Sequence, residues 1–151
     1  MVDMKLKRGF TDEEKMFIIT VVGESGEEDI AAQNAVAHTI MNRVNNPNIW
    51  YKPESVTEVI SKKKSQYNAW DSPNYPAEWA MEKIENRTGT DEQFEEIVDR
   101  LLDIYNGVTP DNTGGATSFY SPGLLSSPPF WAEEMEQVYP SGDYGDFEFY
   151  K

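Results

Sequence analysis

The sequence predicts a mainly helical α+β fold in which several helices precede an irregular, partly extended C-terminal third. Apolar residues recur every three or four positions as far as about residue 105, which is typical of helices packed on a core. From Val108 onward, proline, glycine, serine and aromatic residues dominate, and short extended segments are predicted at Thr117–Tyr120 and Asp146–Tyr150. A chain of 151 residues is expected to form a single domain over 1–151.

Capping, glycine and periodicity signals predict the first two helices. Thr11-Asp12-Glu13-Glu14 is a capping-box sequence, and the helix that it starts is expected to end near Glu24, because Gly23 and Gly26 weaken it. A second helix is predicted from about residue 30 to residue 44. Its narrow face of small side chains permits close packing, so we expect it to be the central helix.

Three further helices follow from start and stop signals. Ser55-x-x-Glu58 is expected to cap a short third helix, and Pro76 fits the first turn of a fourth that runs to about Asn86. Thr90-Asp91-Glu92-Gln93 reads as another capping box, and Asn106-Gly107 is expected to end the fifth helix.

Composition excludes several classes of function. Lys and Arg number 13 against 27 Asp and Glu, a net charge of −14 that argues against a nucleic-acid partner. There is no cysteine, which removes disulfides and thiol chemistry. His38 is the single histidine, so a histidine metal site and a histidine triad are not expected, and we predict no metal or organic cofactor.

The chain also lacks the patterns of membrane insertion. No apolar run is long enough for a transmembrane span. Residues 1–8 are polar and do not resemble a secretory signal, so we expect synthesis in the cytoplasm. The sequence does not determine the oligomeric state, and a monomer is favoured.

Glu24 is the leading catalytic candidate. It follows an apolar helical stretch and lies at the expected helix C-terminus. Apolar surroundings and the negative end of the helix dipole both disfavour an ionised carboxylate, which suits a general acid. The alternative is an ordinary solvated glutamate at a helix end.

Glycosidases are enzymes that use a carboxyl group as general acid, and most of them carry a second carboxylate. The candidates here are Glu27, Glu28, Asp71 and Asp111, and none of them stands out from an ordinary surface group. A mechanism that uses one carboxyl group, with a hydroxyl of the sugar as nucleophile, therefore stays open beside the two-carboxylate mechanism.

Two loop segments carry groups suited to sugars. Gln66-Tyr67-Asn68-Ala69-Trp70 combines aromatic rings, which stack on sugar rings, with amides, which bind hydroxyl and acetamido groups. In Thr113–Tyr120, two glycines allow a close backbone approach, while Thr117 and Tyr120 offer hydroxyls. The alternatives are a loop pinned to the core and a tight turn that leads into a strand.

In this order, these segments resemble the SleB/CwlJ family of cell-wall hydrolases, a family of spore cortex-lytic enzymes and phage lysins. The resemblance spans about residues 14–150. Its first three motifs are Gly23-Glu24-Ser25, Gln33-Asn34-Ala35-Val36-Ala37 and Asn42-Arg43-Val44. The later motifs are Gln66–Trp70, Thr113 to Pro122 and Gly145 to Tyr150, of which Thr113 to Pro122 is the most specific.

The resemblance implies a lysozyme-like catalytic domain that acts on peptidoglycan, with Glu24 as its catalytic residue. It implies cleavage of the β-1,4 bond between N-acetylmuramic acid and N-acetylglucosamine, and a lytic transglycosylase route to a 1,6-anhydro product without a cofactor. The substrate-binding residues that it implies are Gln66, Tyr67, Trp70, Thr117 and Tyr120.

Two departures from the family pattern bear on activity. Ser118 and Phe147 stand where the family motifs carry histidine. They favour one alternative to the transglycosylase, a catalytically silent wall-binding or virion structural module. The other alternative is a hydrolytic muramidase with a second carboxylate. We expect delivery to the wall after release from the cytoplasm, as a phage lysin or a virion-associated enzyme.

Overall fold

The computed structural model describes residues 9–26, 29–46, 53–62, 74–124, 127–139 and 147–151. The described residues form five α-helices and one small sheet. The helices are α1 Asp12–Ser25, α2 Ile30–Asn45, α3 Val56–Lys62, α4 Tyr75–Glu85 and α5 Glu92–Tyr105. The strands are β1 Ser118–Tyr120, β2 Gln137–Val138 and β3 Glu148–Tyr150.

The start of α1 confirms the predicted capping box. The backbone N–H of Glu14 donates to the Thr11 hydroxyl at 3.1 Å, and the Thr11 N–H donates to the Glu14 carboxylate at 2.9 Å. The two residues thereby satisfy donors that the first turn of a helix leaves without intrahelical partners. The helix ends within one residue of the predicted position.

Two helices share the centre of the fold. The small-residue face of α2 is buried as predicted, and α2 packs against α1, α3, α5 and β1. However, α1 contacts each of the other four helices, so it is as central as α2. The core between the helices is closed by large side chains with almost no exposed surface. These are Phe17, Ile18, Val21, Ile40, Val59, Phe94 and Leu101.

The later helices confirm the predicted elements, with one correction. α4 begins at Tyr75 with Asn74 as its N-cap, and Ser55 caps α3 through the Glu58 N–H at 3.1 Å. The capping box predicted at Thr90 is wrong. Asp91 is the N-cap of α5 and accepts from the Phe94 N–H at 3.1 Å, since its carboxylate reaches that donor directly.

The C-terminal third forms a three-stranded antiparallel sheet with the order β1-β3-β2. β1 and β3 lie where the sequence predicted extended segments, whereas the two-residue β2 was not predicted. Phe119 pairs with Phe149, and together with Phe147 they form an aromatic cluster on the core side of the sheet.

Within the described ranges, no helix has both the length and the apolar character that crossing a bilayer requires.

A polar network joins three helices beside the core. One Glu13 oxygen accepts from the Tyr105 hydroxyl at 2.5 Å, and the other accepts from the N–H and the hydroxyl of Thr57 at 3.0 and 2.8 Å. Burial opposes ionisation of Glu13, but these hydrogen bonds outweigh it and hold the pKa of Glu13 below its ordinary value. Burial and the same contact raise the pKa of Tyr105 to about 12.

Replacing Glu13 by Gln is expected to lower the free energy of unfolding by about 1–2 kcal/mol at neutral pH, because hydrogen bonds to a charged group are lost. A lowered folded-state pKa stabilises the protein above the ordinary value of 4.5, and this stabilisation is lost as the pH falls through the folded-state pKa. Urea unfolding at several pH values should show the difference between the two proteins shrinking below pH 4.5.

The matched control is Glu85→Gln on the exposed end of α4, which should change stability by less than about 0.5 kcal/mol. A Glu13→Gln difference that stays constant down to acid pH would contradict the role of the ionised carboxylate.

Candidate functional site

Glu24 lies in the last turn of α1, and its side chain is half-buried. Thr20 and Val21, one turn earlier on the same side of the helix, are fully buried. The carboxyl group is therefore carried at the edge of the core, at the C-terminal end of α1.

Side chains from two other elements hold this end of the helix. The amide of Asn74 donates to the Gly23 carbonyl at 3.1 Å, and the amide of Gln33 donates to the Ser25 carbonyl at 3.3 Å. The Ser25 hydroxyl donates back to the Val21 carbonyl at 2.6 Å. Carbonyls in the last turn of a helix lack intrahelical partners, so these contacts stabilise the turn on both sides of Glu24.

Gly26 closes the turn for a steric reason. Its φ of −59° is open to any residue, so no left-handed conformation requires glycine here. A Cβ at this position would lie 2.7 Å from the Cβ of Pro76 at the start of α4. Glycine thus lets the end of α1 pack directly against α4.

Asp111 organises a second part of the region, the turn 111–116. One of its oxygens accepts from the N–H and the hydroxyl of Thr113 at 2.8 and 2.7 Å. The other accepts from the Gly115 N–H at 2.9 Å and from the Asn42 amide at 3.0 Å. Burial opposes ionisation, but these donors hold the pKa of Asp111 below its ordinary value.

These contacts give Asp111 a structural role. Its oxygens are both engaged by the turn and by α2, so the contacts do not favour it as the second carboxylate of a glycosidase. Gly114 and Gly115 adopt φ of 70° and 95°, which explains the paired glycines of this turn.

Two adjacent residues of α2 attach the turn and the sheet to the helices. Asn42 donates to the Ala116 carbonyl at 2.8 Å as well as to Asp111, and Arg43 donates to the Thr117 carbonyl. The sequence motif Asn42-Arg43-Val44 therefore binds the backbone of the motif that begins at Thr113.

His38 lies beneath this turn and is buried, with 4% of its surface exposed. Its Nδ1 is 3.9 Å from the nearest Asp111 oxygen. Burial lowers the pKa of His38 despite the opposing influence of that carboxylate. The neutral imidazole at neutral pH fits the packing role expected for this residue.

The residues predicted near the sheet fall into two environments. Thr117 is only 2% exposed, and its N–H donates to the Tyr150 carbonyl at 2.8 Å. Tyr120 is half-buried, and its hydroxyl contacts Glu148 at 3.3 Å. Ser118 is half-buried on the same side of β1 as Tyr120, whereas Phe147 is buried against Phe119 and Phe149.

Several predicted residues lie outside the described residues. These are Gln66, Tyr67 and Trp70 of the proposed sugar-binding segment, and Glu27, Glu28 and Asp71 among the candidate second carboxylates. Their roles stay predictions.

A cavity of about 290 Å³ lies away from this region, between the end of α4 and the start of α5. Arg87, which lines it, also lies over the ring of Phe10, just before α1 begins. Charged side chains that line the cavity pair with one another, Arg87 with Glu95 at 2.8 Å and Lys83 with Asp91 at 2.6 Å. None of the predicted site residues lines this cavity.

The sequence alone did not indicate the partners that hold these groups. Gln33, Asn74 and Asn42 are polar residues whose contacts are distant in the chain, so no local spacing indicates them. The one available signal was the position of Gln33 and Asn42 within motifs of the resembling family.

Comparison with known proteins identifies a family and a similar fold. A family model described as Cell Wall Hydrolase matches residues 27–150. The match starts after Glu24, whose catalytic role stays a prediction. The solved catalytic domain of the germination-specific lytic transglycosylase SleB from Bacillus anthracis is 26% identical, with a TM-score of 0.57, and the match covers 95% of this chain and 98% of that chain. No match was found among curated proteins.

The similarity confirms the predicted fold class, a mainly helical domain with a small C-terminal sheet, as in the SleB catalytic domain.

Asp111→Ala is expected to lower the free energy of unfolding by about 2–4 kcal/mol, because it leaves the donors of Thr113, Gly115 and Asn42 without their acceptor. Urea denaturation measures the loss. The control is Asp103→Ala on the exposed side of α5, with an expected change of less than about 0.5 kcal/mol. Equal stability of the two variants would refute the organising role of Asp111.

Proposed function

This chain belongs to the cell wall hydrolase family, and we propose that it cleaves the glycan strands of peptidoglycan as a lytic transglycosylase. The bond is the β-1,4 linkage between N-acetylmuramic acid and N-acetylglucosamine. Peptidoglycan is the substrate that the family implies, and the similar SleB catalytic domain is described as a lytic transglycosylase.

The observation that carries the proposal is the setting of Glu24. A half-buried carboxyl group lies at the end of a central helix whose last turn is held by Asn74 and Gln33. A general acid must be held in one place to meet a substrate oxygen at hydrogen-bond distance. This helix end supplies that constraint.

The proposed reaction needs one carboxyl group. Protonated Glu24 donates its proton to the glycosidic oxygen, and the bond between that oxygen and C1 of N-acetylmuramic acid breaks with oxocarbenium character. The resulting Glu24 carboxylate then accepts the proton of the C6 hydroxyl of the same sugar. The C6 oxygen bonds to C1 and closes the 1,6-anhydro ring, so no water is consumed.

The groove around the reacting sugar is proposed to include Tyr120 together with Gln66, Tyr67 and Trp70. Tyr120 presents a half-buried ring and a hydroxyl, a combination that suits sugar binding. Thr117 belongs to the proposed groove by resemblance, but its burial favours a role in holding the start of β1.

A hydrolytic muramidase is a second candidate that would need another carboxylate to activate water. Asp111 is engaged by four hydrogen bonds, which disfavours this residue as that second carboxylate.

A catalytically silent wall-binding module is the third candidate, and the replacement of both family histidines favours it. Phe147 is an integrated part of the aromatic core, so this position has no polar group to offer a substrate. The silent module differs from the transglycosylase in that purified protein would bind peptidoglycan without degrading it.

Glu24→Gln is expected to abolish clearing of a peptidoglycan suspension, with a loss of about 10²–10⁴ in rate, because an amide cannot transfer the proton. Turbidity measures the rate, and thermal unfolding confirms that the fold is retained.

The control is Glu85→Gln, an exposed glutamate on α4, which should clear the suspension at the wild-type rate. Wild-type activity in Glu24→Gln would refute the assignment of the general acid. A wild-type protein that binds the wall without degrading it would select the silent module.

A further inference from the structure

One face of the C-terminal sheet is polar, and the proposed reaction assigns no role to its carboxylate. The register pairs Ser118 with Tyr150 and Tyr120 with Glu148. Directly opposed residues of antiparallel strands lie on the same face, as do alternate residues of one strand. These four side chains therefore share one face, opposite the aromatic core cluster. We call this surface the polar sheet face.

Glu148 lies at the centre of this face and is half-buried. Its Oε1 accepts from the Tyr150 hydroxyl at 2.8 Å and from the Tyr120 hydroxyl at 3.3 Å. Both hydrogen bonds use the same oxygen, so as far as the described residues show, Oε2 is available to accept from a ligand. Burial, followed by the hydrogen bond to Glu148, raises the pKa of Tyr150, which keeps its phenol a donor.

Aromatic rings surround the carboxylate. The rings of Tyr120 and Tyr150 stack with centroids 5.9 Å apart and an angle of 23° between their planes. Trp131 meets Tyr120 and Tyr150 edge-on at 5.8 and 5.4 Å and is itself half-buried. The face thus combines fixed hydroxyls, a carboxylate and a partly exposed indole ring.

This chemistry fits a neutral sugar. A carboxylate accepts hydrogen bonds from sugar hydroxyls, and aromatic rings pack against the C–H faces of a sugar ring. An anionic ligand is disfavoured by Glu148 itself and by the net charge of −14.

We propose that the polar sheet face binds a sugar residue of the glycan strand, and that Glu148 is a substrate-binding residue that orients Tyr120 and Tyr150 through Oε1 and accepts a sugar hydroxyl through Oε2. The proposal rests on the proposed function, since the glycan strand is its ligand. Glu148 was not among the candidate carboxylates in the sequence, because the sheet register that places it beside the tyrosines is not a local pattern.

The test measures binding to purified peptidoglycan by sedimentation in a Glu24→Gln background, where the substrate is not consumed. Glu148→Ala is expected to bind roughly tenfold more weakly, the loss of a hydrogen bond to a charged group. Glu148→Gln retains one acceptor for the phenols and should recover part of the affinity. In the active enzyme, Glu148→Ala should raise KM with little change in kcat.

The matched control is Glu134→Ala, an exposed glutamate on the segment that carries Trp131. It removes the same charge, so a general electrostatic effect on a polyanionic wall appears equally in both variants. Equal affinity of Glu148→Ala and Glu134→Ala would overturn the proposal. So would a fall in kcat alone together with a lower melting temperature, since that pattern indicates a purely structural residue.

Tyr120→Phe provides an independent variant if Glu148→Ala does not fold. It keeps the stacked ring and removes one hydroxyl, and it is expected to bind about threefold more weakly. Unchanged binding would again overturn the proposal. A Glu24→Gln protein that does not bind peptidoglycan, with a wild type that does not degrade it, refutes the proposed function itself and this inference with it.

Discussion

Two side-chain amides close the last turn of α1, and the proposed chemistry depends on that closure. Asn74 and Gln33 donate to the carbonyls on either side of Glu24. Gln33 is itself fixed, because its carbonyl oxygen accepts from Arg100 on α5 at 2.9 Å. A helix end that would otherwise fray in water is thereby tied to α2, α4 and α5, and the carboxyl group at that end inherits their rigidity.

Helix α2 links this helix end to the rest of the region. Near its start it provides Gln33, and near its end it provides Asn42 and Arg43, which hold the 111–116 turn and the beginning of β1. The small buried residues between them let α2 pack closely against α1, so both attachments are built on one rigid element. The family motifs in α2 thus support both the end of α1 and the 111–116 turn.

Local patterns predicted much of this fold. Capping, periodicity and glycine signals over a few residues predict the Thr11–Glu14 capping box and the C-terminal ends of α1, α2, α4 and α5. Local patterns also predict strands β1 and β3. The start of α5 was misplaced by one residue, because Asp91 and Thr90 are both good caps and only the three-dimensional arrangement selects between them.

The site was predictable only in part, for a physical reason. Glu24 and Tyr120 carry recognisable chemistry, so the sequence nominates both, and their roles stay predictions. The roles of Asp111, Asn74 and Glu148 arise from hydrogen bonds to residues that are distant in the chain or that the sheet register brings together. A carboxylate that organises a turn and one that faces a sugar look alike in a sequence.

In the proposed reaction, one carboxyl group at a fixed helix end is enough to cleave the glycan strand. Mass spectrometry of the muropeptides that the wild-type protein releases from purified peptidoglycan tests it most directly. Because the C6 hydroxyl replaces water as the nucleophile, we expect terminal 1,6-anhydro sugars, lighter by one water molecule than hydrolysed ends. Products that carry only hydrated reducing ends would contradict it and would require a second carboxylate.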